Sequence, residues 1–218
     1  MAASATLEVP RPPVVDELYF WALQVSFEGP RGRTGGAHLG LQHHPGYPDS
    51  TAVNWGGYDD VVGGELVGTE SVLPSALGNA NTRTFRWVAG RRYRLDVSQV
   101  ASGWWQGTVT DVESGALTVI RDLNCHDAVA LSGLMVWSEV FAPCDAPSVA
   151  ALWTDLSYVT RDGRRAAPLG LEANYQAAAA GGCSNTNSVV EAGVARQETK
   201  TSRTTPQGKY LVWSSPPS

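Results

Sequence analysis

The sequence predicts an all-β protein, a two-sheet antiparallel sandwich of the jelly-roll or concanavalin-like kind with little helix. Runs in which apolar and polar residues alternate recur about every ten residues, with turn-forming residues between them. The 218 residues include 23 Gly and 13 Pro, which is typical of a compact, turn-rich chain. Helix formers are concentrated only in residues 175–180, and Gly181 and Gly182 end that stretch at once.

The elements follow one another with turns between them. Residues 1–16 show no periodicity and are predicted as an extended N-terminal arm. Residues 17–218 are predicted as a single sandwich domain, because no linker or composition shift divides them. The predicted strands cover residues 18–27, 37–44, 51–60 (a short strand or loop edge), 82–88, 93–99, 103–112, 115–123, 134–141, 149–159, 189–199 and 209–214.

Composition and charge exclude several classes of partner. The net charge is −5 with no basic block, so a nucleic acid is not expected as a partner. A membrane partner is not expected either, because no window has the roughly 18 uncharged apolar residues of a membrane span. The first residues lack the pattern of a secretory signal. This predicts a cytoplasmic protein, or a secreted one if the chain is the mature part of a longer protein.

The three cysteines, Cys125, Cys144 and Cys183, allow one disulfide and one remaining thiol, or buried thiols alone. None has the spacing of a zinc site. The sequence alone leaves the pairing open.

Several stretches resemble a bacterial β-sandwich family that is common in actinobacteria and whose members mostly have no assigned function. They are YFWALQVSF and GGAHLGLQ near the N-terminus, YRLDVSQVASGWWQGTVTDVESG and MVWSEVF in the middle, and CSNTNS with GVARQETKTSRTTPQGKYLVW near the end. Together they cover about two-thirds of the chain. The resemblance implies a concanavalin-like two-sheet fold and brings no agreed catalytic mechanism.

A polar strand face is the first candidate site. If Leu39 and Leu41 point into the core, then His38, Gln42 and His44 emerge together on the other face. Gln24 joins them from the neighbouring predicted strand. Amide and imidazole groups offer the paired donors and acceptors that sugars bind. The alternative is an ordinary solvent-exposed strand face.

The eight tryptophans are a second indication of ligand binding, because indole rings stack on sugars and line pockets for hydrophobic metabolites. Trp55, in a Gly-rich segment, is expected to be exposed. Of the adjacent Trp104 and Trp105, one is expected in the core and one on the surface. Trp55, Trp105 and Trp137 are the predicted ligand-binding tryptophans, and the alternative is that most tryptophans are core residues.

Three residues are the candidates for acid–base chemistry. Gln42-x-His44 resembles the Gln-x-His motif of alginate-type polysaccharide lyases, in which the His takes a proton, but the partner motifs of those lyases are absent. Tyr175 is a poor substitute for their proton-donating Tyr. Glu139 lies within an apolar strand, so it is either buried with a raised pKa or lines a cleft. The hydrolase motif Glu-x-Asp-x-x-Glu is missing.

The sequence therefore predicts a domain that binds a glycan or a small molecule on a polar, Trp-rimmed sheet face. The alternative is an enzyme with His and Glu acid–base chemistry, either a lyase on a polysaccharide or a cyclase acting on a hydrophobic metabolite. An interaction domain without a small ligand is the third possibility. No cofactor is predicted, and Asp59 with Asp60 is a weak calcium motif.

Overall fold

The structure, a computed structural model, describes residues 1–213, and strands dominate it. In that range the strands are β1 (Ala2–Glu8), β2 (Tyr19–Gly29), β3 (Gly32–His43), β4 (Thr51–Asp59), β5 (Val67–Gly68), β6 (Thr82–Thr84), β7 (Arg92–Ala101), β8 (Trp104–Asp111), β9 (Leu117–Asn124), β10 (Ala130–Val140), β11 (Ala150–Val159), β12 (Arg165–Ala166), β13 (Gly170–Ala173), β14 (Thr186–Glu191), β15 (Val194–Thr199) and β16 (Lys209–Val212). Two single-turn 3₁₀ segments, Pro48–Ser50 and Ala178–Ala180, accompany them.

The strands pair antiparallel in two main sheets. A nine-stranded sheet has the order β14-β15-β11-β1-β7-β8-β9-β5, with β12 paired to β11. A five-stranded sheet has the order β10-β2-β3-β4-β6, and β13 and β16 form a separate small sheet. The predicted all-β sandwich is confirmed.

The core lies between the two sheets, where strand alternation places the apolar residues. On β2, Trp21, Leu23 and Val25 are buried, and on β3 Leu39 and Leu41 are buried opposite them. Because adjacent residues of a strand point to opposite faces, the polar residues between them lie on the outer face of the five-stranded sheet.

The N-terminal residues are part of the core and do not form the predicted arm. Strand β1 lies between β11 and β7 in the middle of the nine-stranded sheet. Ala3, Ala5 and Leu7 alternate inward and are completely buried. Small alanines give a weak hydrophobic pattern, so the alternation in ASATLE does not predict a strand.

Other differences from the predicted elements are local. The predicted strand 189–199 is a hairpin, β14 and β15, because Ala192 and Gly193 turn the chain with positive φ angles of 48° and 75°. Residues 175–180 contain a single 3₁₀ turn. The last predicted strand corresponds to β16, and its final residue, Ser214, lies outside the described residues.

Cys144 and Cys183 form a disulfide, and Cys125 is a free, buried thiol. The bond joins the loop that follows β10, in one sheet, to the loop that precedes β14, in the other. In the part of the chain that the structure describes, no helix has the length and apolar character needed to cross a membrane.

Candidate functional site

A groove of about 1130 Å³ runs along β10, at the edge of the five-stranded sheet. One wall is β10 with the loop after it, as far as Val149. The opposite wall is built from β13, the loops around the disulfide, and β14 and β15. Phe20, Gln24 and His38 contribute from the neighbouring strands β2 and β3. The groove therefore lies where the open side of the sandwich is bounded by both sheets.

Glu139 projects from β10 into this groove. Its side chain is exposed, yet the surrounding strands remove part of its hydration, and this desolvation raises the pKa of the Glu139 carboxyl. Within residues 1–213 no Lys, Arg or His forms an ion pair with it. The group therefore holds a proton more readily than an ordinary carboxyl, which suits it to acid–base chemistry.

An aromatic cluster, defined as Phe20, His38 and Trp137, lies beside Glu139. The Phe20 ring centroid is 4.9 Å from that of Trp137 and 5.5 Å from that of His38, both in edge-to-face geometry. Burial lowers the pKa of His38, partly offset by the charge of Glu65. The neutral imidazole therefore behaves as a third aromatic ring in the cluster.

Trp137 also orients Gln24. Its indole Nε1 donates to the Gln24 Oε1 at 2.9 Å. Because an indole N–H can only donate, this bond fixes the amide with its oxygen toward Trp137. The Gln24 Nε2 is left to donate into the groove.

Gln42 lies in the same cross-strand row as Glu139. Glu139 is opposite Phe20 on β2, and Phe20 is opposite Gln42 on β3. Two strand spacings separate the backbones of Gln42 and Glu139, about 10 Å. The Phe20 side chain lies between them on the same face and packs on His38 and Trp137.

The environment of Gln42 differs from the prediction. The residue is 5% exposed, and the Tyr47 hydroxyl donates to its Oε1 at 3.1 Å. Gln42 therefore has the predicted phase but lies under Tyr47 and outside the residues that line the groove.

His44 does not belong to the site. Strand β3 ends at His43, and the following Pro45-Gly46 turn redirects the chain. The His44 Nδ1 accepts the Gly46 backbone N–H at 3.0 Å, and its ring packs 5.3 Å from that of Tyr47. The predicted alternation fails at this position because it extends past the end of the strand.

Trp55 and Trp105 are core residues and not ligand-binding residues. Both are completely buried. The Trp55 ring packs on Gly107, where a Cβ would come within 2.8 Å of it. The glycines after Trp55 belong to β4, and a Cβ on Gly57 would come within 2.3 Å of the Gly36 carbonyl oxygen. As expected for the adjacent pair, Trp104 is only half-buried.

Tyr175 reaches the groove wall, but its hydroxyl is occupied. It accepts the backbone N–H of Ser188 at 3.0 Å. The guanidinium of Arg203 covers the ring at 3.9 Å from its centroid. Tyr175 therefore supports the wall of the groove and is not available for proton transfer.

Gln197 on β15 is a residue of the site that the sequence did not reveal. Its Oε1 accepts the Ser138 hydroxyl at 2.7 Å and the Trp153 indole N–H at 3.0 Å. Its Nε2 donates to the Val136 carbonyl at 2.9 Å. The side chain joins the two sheets behind β10. No sequence signal distinguishes it from any other polar residue in an alternating strand.

No group of three or more His, Cys, Asp or Glu side chains comes together as metal ligands among residues 1–213. Asp59, half of the weak calcium motif, uses its Oδ1 to accept the backbone N–H groups of Val61 and Val62 at 2.7 and 2.9 Å. Asp60 forms an ion pair with Arg33 at 3.0 Å. Both carboxylates therefore have local structural roles.

No protein-family model matches the chain, and no curated protein sequence matches it. The resemblance to an actinobacterial family stays a prediction.

Solved structures similar in fold are glutamic peptidases. Scytalido-glutamic peptidase with a transition-state analogue inhibitor is 13% identical, with 90% of each chain covered and a TM-score of 0.44. SCP-B, a member of the eqolisin family of peptidases in complex with the tripeptide Ala-Ile-His, is 12% identical, with 90% of each chain covered and a TM-score of 0.44. Aspergilloglutamic peptidase from Aspergillus niger is 12% identical, with 83% of this chain and 99% of that one covered and a TM-score of 0.48. Identities and TM-scores this low transfer no activity and no residue role.

The predicted glycan or small-molecule function is wrong, and so are its lyase and cyclase alternatives. The solved structures similar in fold are peptidases, two of them bound to a peptide-based analogue or a tripeptide, and not proteins that bind glycans or hydrophobic metabolites. The predicted site also does not assemble, because His44, Trp55 and Trp105 lie outside the groove. Gln24, His38, Trp137 and Glu139 do come together there.

Proposed function

We propose that the groove binds an extended polypeptide segment and that Glu139 hydrolyses a peptide bond there as an acid–base group. The observation that supports this most directly is the carboxyl of Glu139, which has a raised pKa and no ion-pair partner in the described chain, beside a long unpaired strand edge.

The edge of β10 presents backbone groups that an extended peptide can bond, and Gln197 already occupies the one at Val136. In an antiparallel pair, backbone groups point alternately toward the partner strand and away from it. The Phe141 N–H bonds to Leu18 on the β2 side, whereas the Val136 carbonyl points away and accepts Gln197. Leu134, Ser138 and Val140 share the outward phase of Val136.

Within residues 1–213 no strand pairs with this side of β10. A peptide can therefore add to the edge as a further strand, with backbone hydrogen bonds on one side. Its side chains would reach the aromatic cluster and the opposite wall.

The proposed chemistry uses Glu139 first as a base. The ionised carboxylate removes a proton from a water molecule, and the water oxygen bonds to the peptide carbonyl carbon. The protonated Glu139 then gives that proton to the leaving nitrogen as the C–N bond breaks.

Gln24 does not act on the bond that breaks in this scheme. It lies opposite Met135, four residues along the strand from Glu139, which corresponds to about 14 Å. That distance is too long for contact with the same carbonyl. Gln24 instead donates to the peptide backbone at a neighbouring position.

Hydrolysis of a library of internally quenched peptides tests the proposal. Glu139→Gln keeps the shape of the side chain but cannot take a proton, so we expect turnover to fall by about 10²- to 10⁴-fold. Because the ionised form is the active base, activity should be lost as the pH falls through the raised pKa of Glu139. The acid limb should therefore lie above the ordinary carboxyl value of 4.5.

Glu172→Gln is the matched control, since Glu172 is an exposed carboxylate of the opposite wall. It should cleave at the wild-type rate. Equal losses in both variants, or full activity in Glu139→Gln, would contradict the role of Glu139. Binding of labelled peptides by wild type without any cleavage would leave a peptide-binding groove and refute the hydrolysis.

A further inference from the structure

Two arginines point into the space between the sheets at the end of the sandwich opposite the groove. Arg83 on β6 is opposite Val53, whose side chain is in the core. Arg121 on β9 is opposite Gly107, on which the ring of Trp55 packs. Since cross-strand partners share a face, one arginine enters the interior from each sheet. They are only 8% and 6% exposed.

The surroundings of this pair provide no direct counter-charge. In the described chain, no carboxylate oxygen lies within 4.0 Å of either guanidinium. Glu65 and Glu70 are the acids that act on Arg121 from a distance, and both are exposed, so solvent screens them. Burial lowers the pKa of Arg121, and the charge of Arg83 lowers it further.

Arg121 is partly satisfied by the protein. Its Nε donates to the Trp55 carbonyl at 3.3 Å, and a terminal nitrogen donates to the Asn81 side chain. Its guanidinium packs on Gly68, where a Cβ would come within 2.9 Å of the Cζ. These contacts hold the head group in place beneath β5.

Arg83, by contrast, has a buried nitrogen that is unpaired. Its Nε is enclosed and has no hydrogen-bond partner within residues 1–213. The indole Nε1 groups of Trp55 and Trp105 are likewise enclosed and unpartnered. All three groups are donors. Arg83 and Trp55 lie near each other, because Arg83 is opposite Val53, two residues from Trp55 on β4. A buried charge and buried donors without acceptors are both destabilising.

We propose that a small oxyanion binds between Arg83 and Arg121, where its oxygens accept a hydrogen bond from the unpaired guanidinium nitrogen of Arg83 and its charge offsets the two guanidiniums. Phosphate, sulfate and small carboxylates share this chemistry. The site is separate from the groove, and it does not depend on the proposed peptidase activity.

Thermal unfolding in matched ionic strength tests this site, with inorganic phosphate as the probe and chloride as the reference. A phosphate concentration 100-fold above the dissociation constant should raise the wild-type Tm by about 5 to 10 °C for a chain of this size. Arg83→Met keeps the apolar stem and removes the charge, so its Tm should not respond to phosphate. It should also exceed the wild-type Tm in chloride alone.

Arg86→Met is the matched control, because Arg86 is exposed on the same segment. It should keep the full response to phosphate. An equal response in Arg83→Met, or none in wild type, would overturn the proposal.

Calorimetric titration of wild type with phosphate gives a second measurement that does not depend on a folded variant. No heat of binding up to millimolar phosphate would refute the site. Competition by sulfate or by acetate would show which oxyanion geometry it prefers.

Discussion

At the residue scale, strand phase predicted which side chains emerge together, but not which of them stay accessible. Gln24, His38, Trp137 and Glu139 lie on the outer face as their alternation requires. Gln42 has the same phase, yet Tyr47 from the following loop covers it. The periodicity of a strand does not depend on whether a loop folds back over it. The burial of Gln42 by Tyr47 therefore could not be predicted from the sequence pattern.

At Trp55 the sequence predicts an exposed side chain, and the structure shows a buried one. The Gly56-Gly57 pair after Trp55 is typical of a loop, so the tryptophan was predicted to be exposed. In the structure Gly57 allows β3 to approach β4 closely, and Gly107 on β8 makes room for the Trp55 ring. Only the position of the facing backbone distinguishes a glycine that turns the chain from one that makes room.

Substitutions of the two glutamines should separate kinetically, because Gln24 lines the groove and Gln42 does not. Gln42 is buried under Tyr47, so Gln42→Ala should leave kcat and KM unchanged. Gln24→Ala removes a contact made equally before and during the reaction, so it should raise KM and leave kcat unchanged. Steady-state kinetics on one peptide measures both. Identical effects of the two substitutions would contradict the different roles.

At the element scale, the long strands with alternating large side chains were predictable, and the short ones were not. Strands β2, β3 and β7 combine aromatic or branched residues with clear alternation. The two-residue strands β5 and β12 are too short to carry a period. Strand β1 alternates with alanines, whose contribution to the hydrophobic pattern is small, although its position in the sheet buries them completely.

Strand β1 should therefore contribute measurably to stability. Leu7→Ala removes a completely buried side chain, and we expect the free energy of unfolding to fall by about 2–5 kcal/mol. Val14→Ala is the control, because Val14 is 73% exposed and should change stability by less than about 0.5 kcal/mol. Urea denaturation followed by tryptophan fluorescence measures both. A negligible effect of Leu7→Ala would support the arm that the sequence suggested.

At the scale of the whole molecule, the sandwich followed from composition and strand spacing, but the groove depends on contacts between distant segments. Its walls bring β10 together with residues that follow it by 30 to 60 positions. Nothing in a local pattern specifies that approach. The three cysteines allowed a disulfide without indicating that it would join the walls of the site.

The Cys144–Cys183 bond should stabilise the fold by about 2–4 kcal/mol, because it closes a loop with a sequence separation of 39. The double variant Cys144→Ser, Cys183→Ser should unfold at lower urea by that amount. Reducing agent should destabilise wild type to the same extent and leave the double variant unaffected. A further loss in the reduced double variant would mean that another group is responsible for the effect.

The central position of β1 has a consequence for how the large sheet is connected. On one side of β1 the sheet consists of β14, β15 and β11, and on the other of β7, β8, β9 and β5. No other strand bridges the two halves along the described path. A chain without its first nine residues would thus have unpaired edges on β11 and β7, with a gap the width of one strand between them. A separate peptide with the sequence of β1 would pair with both edges. The protein is therefore suited to reconstitution from two fragments.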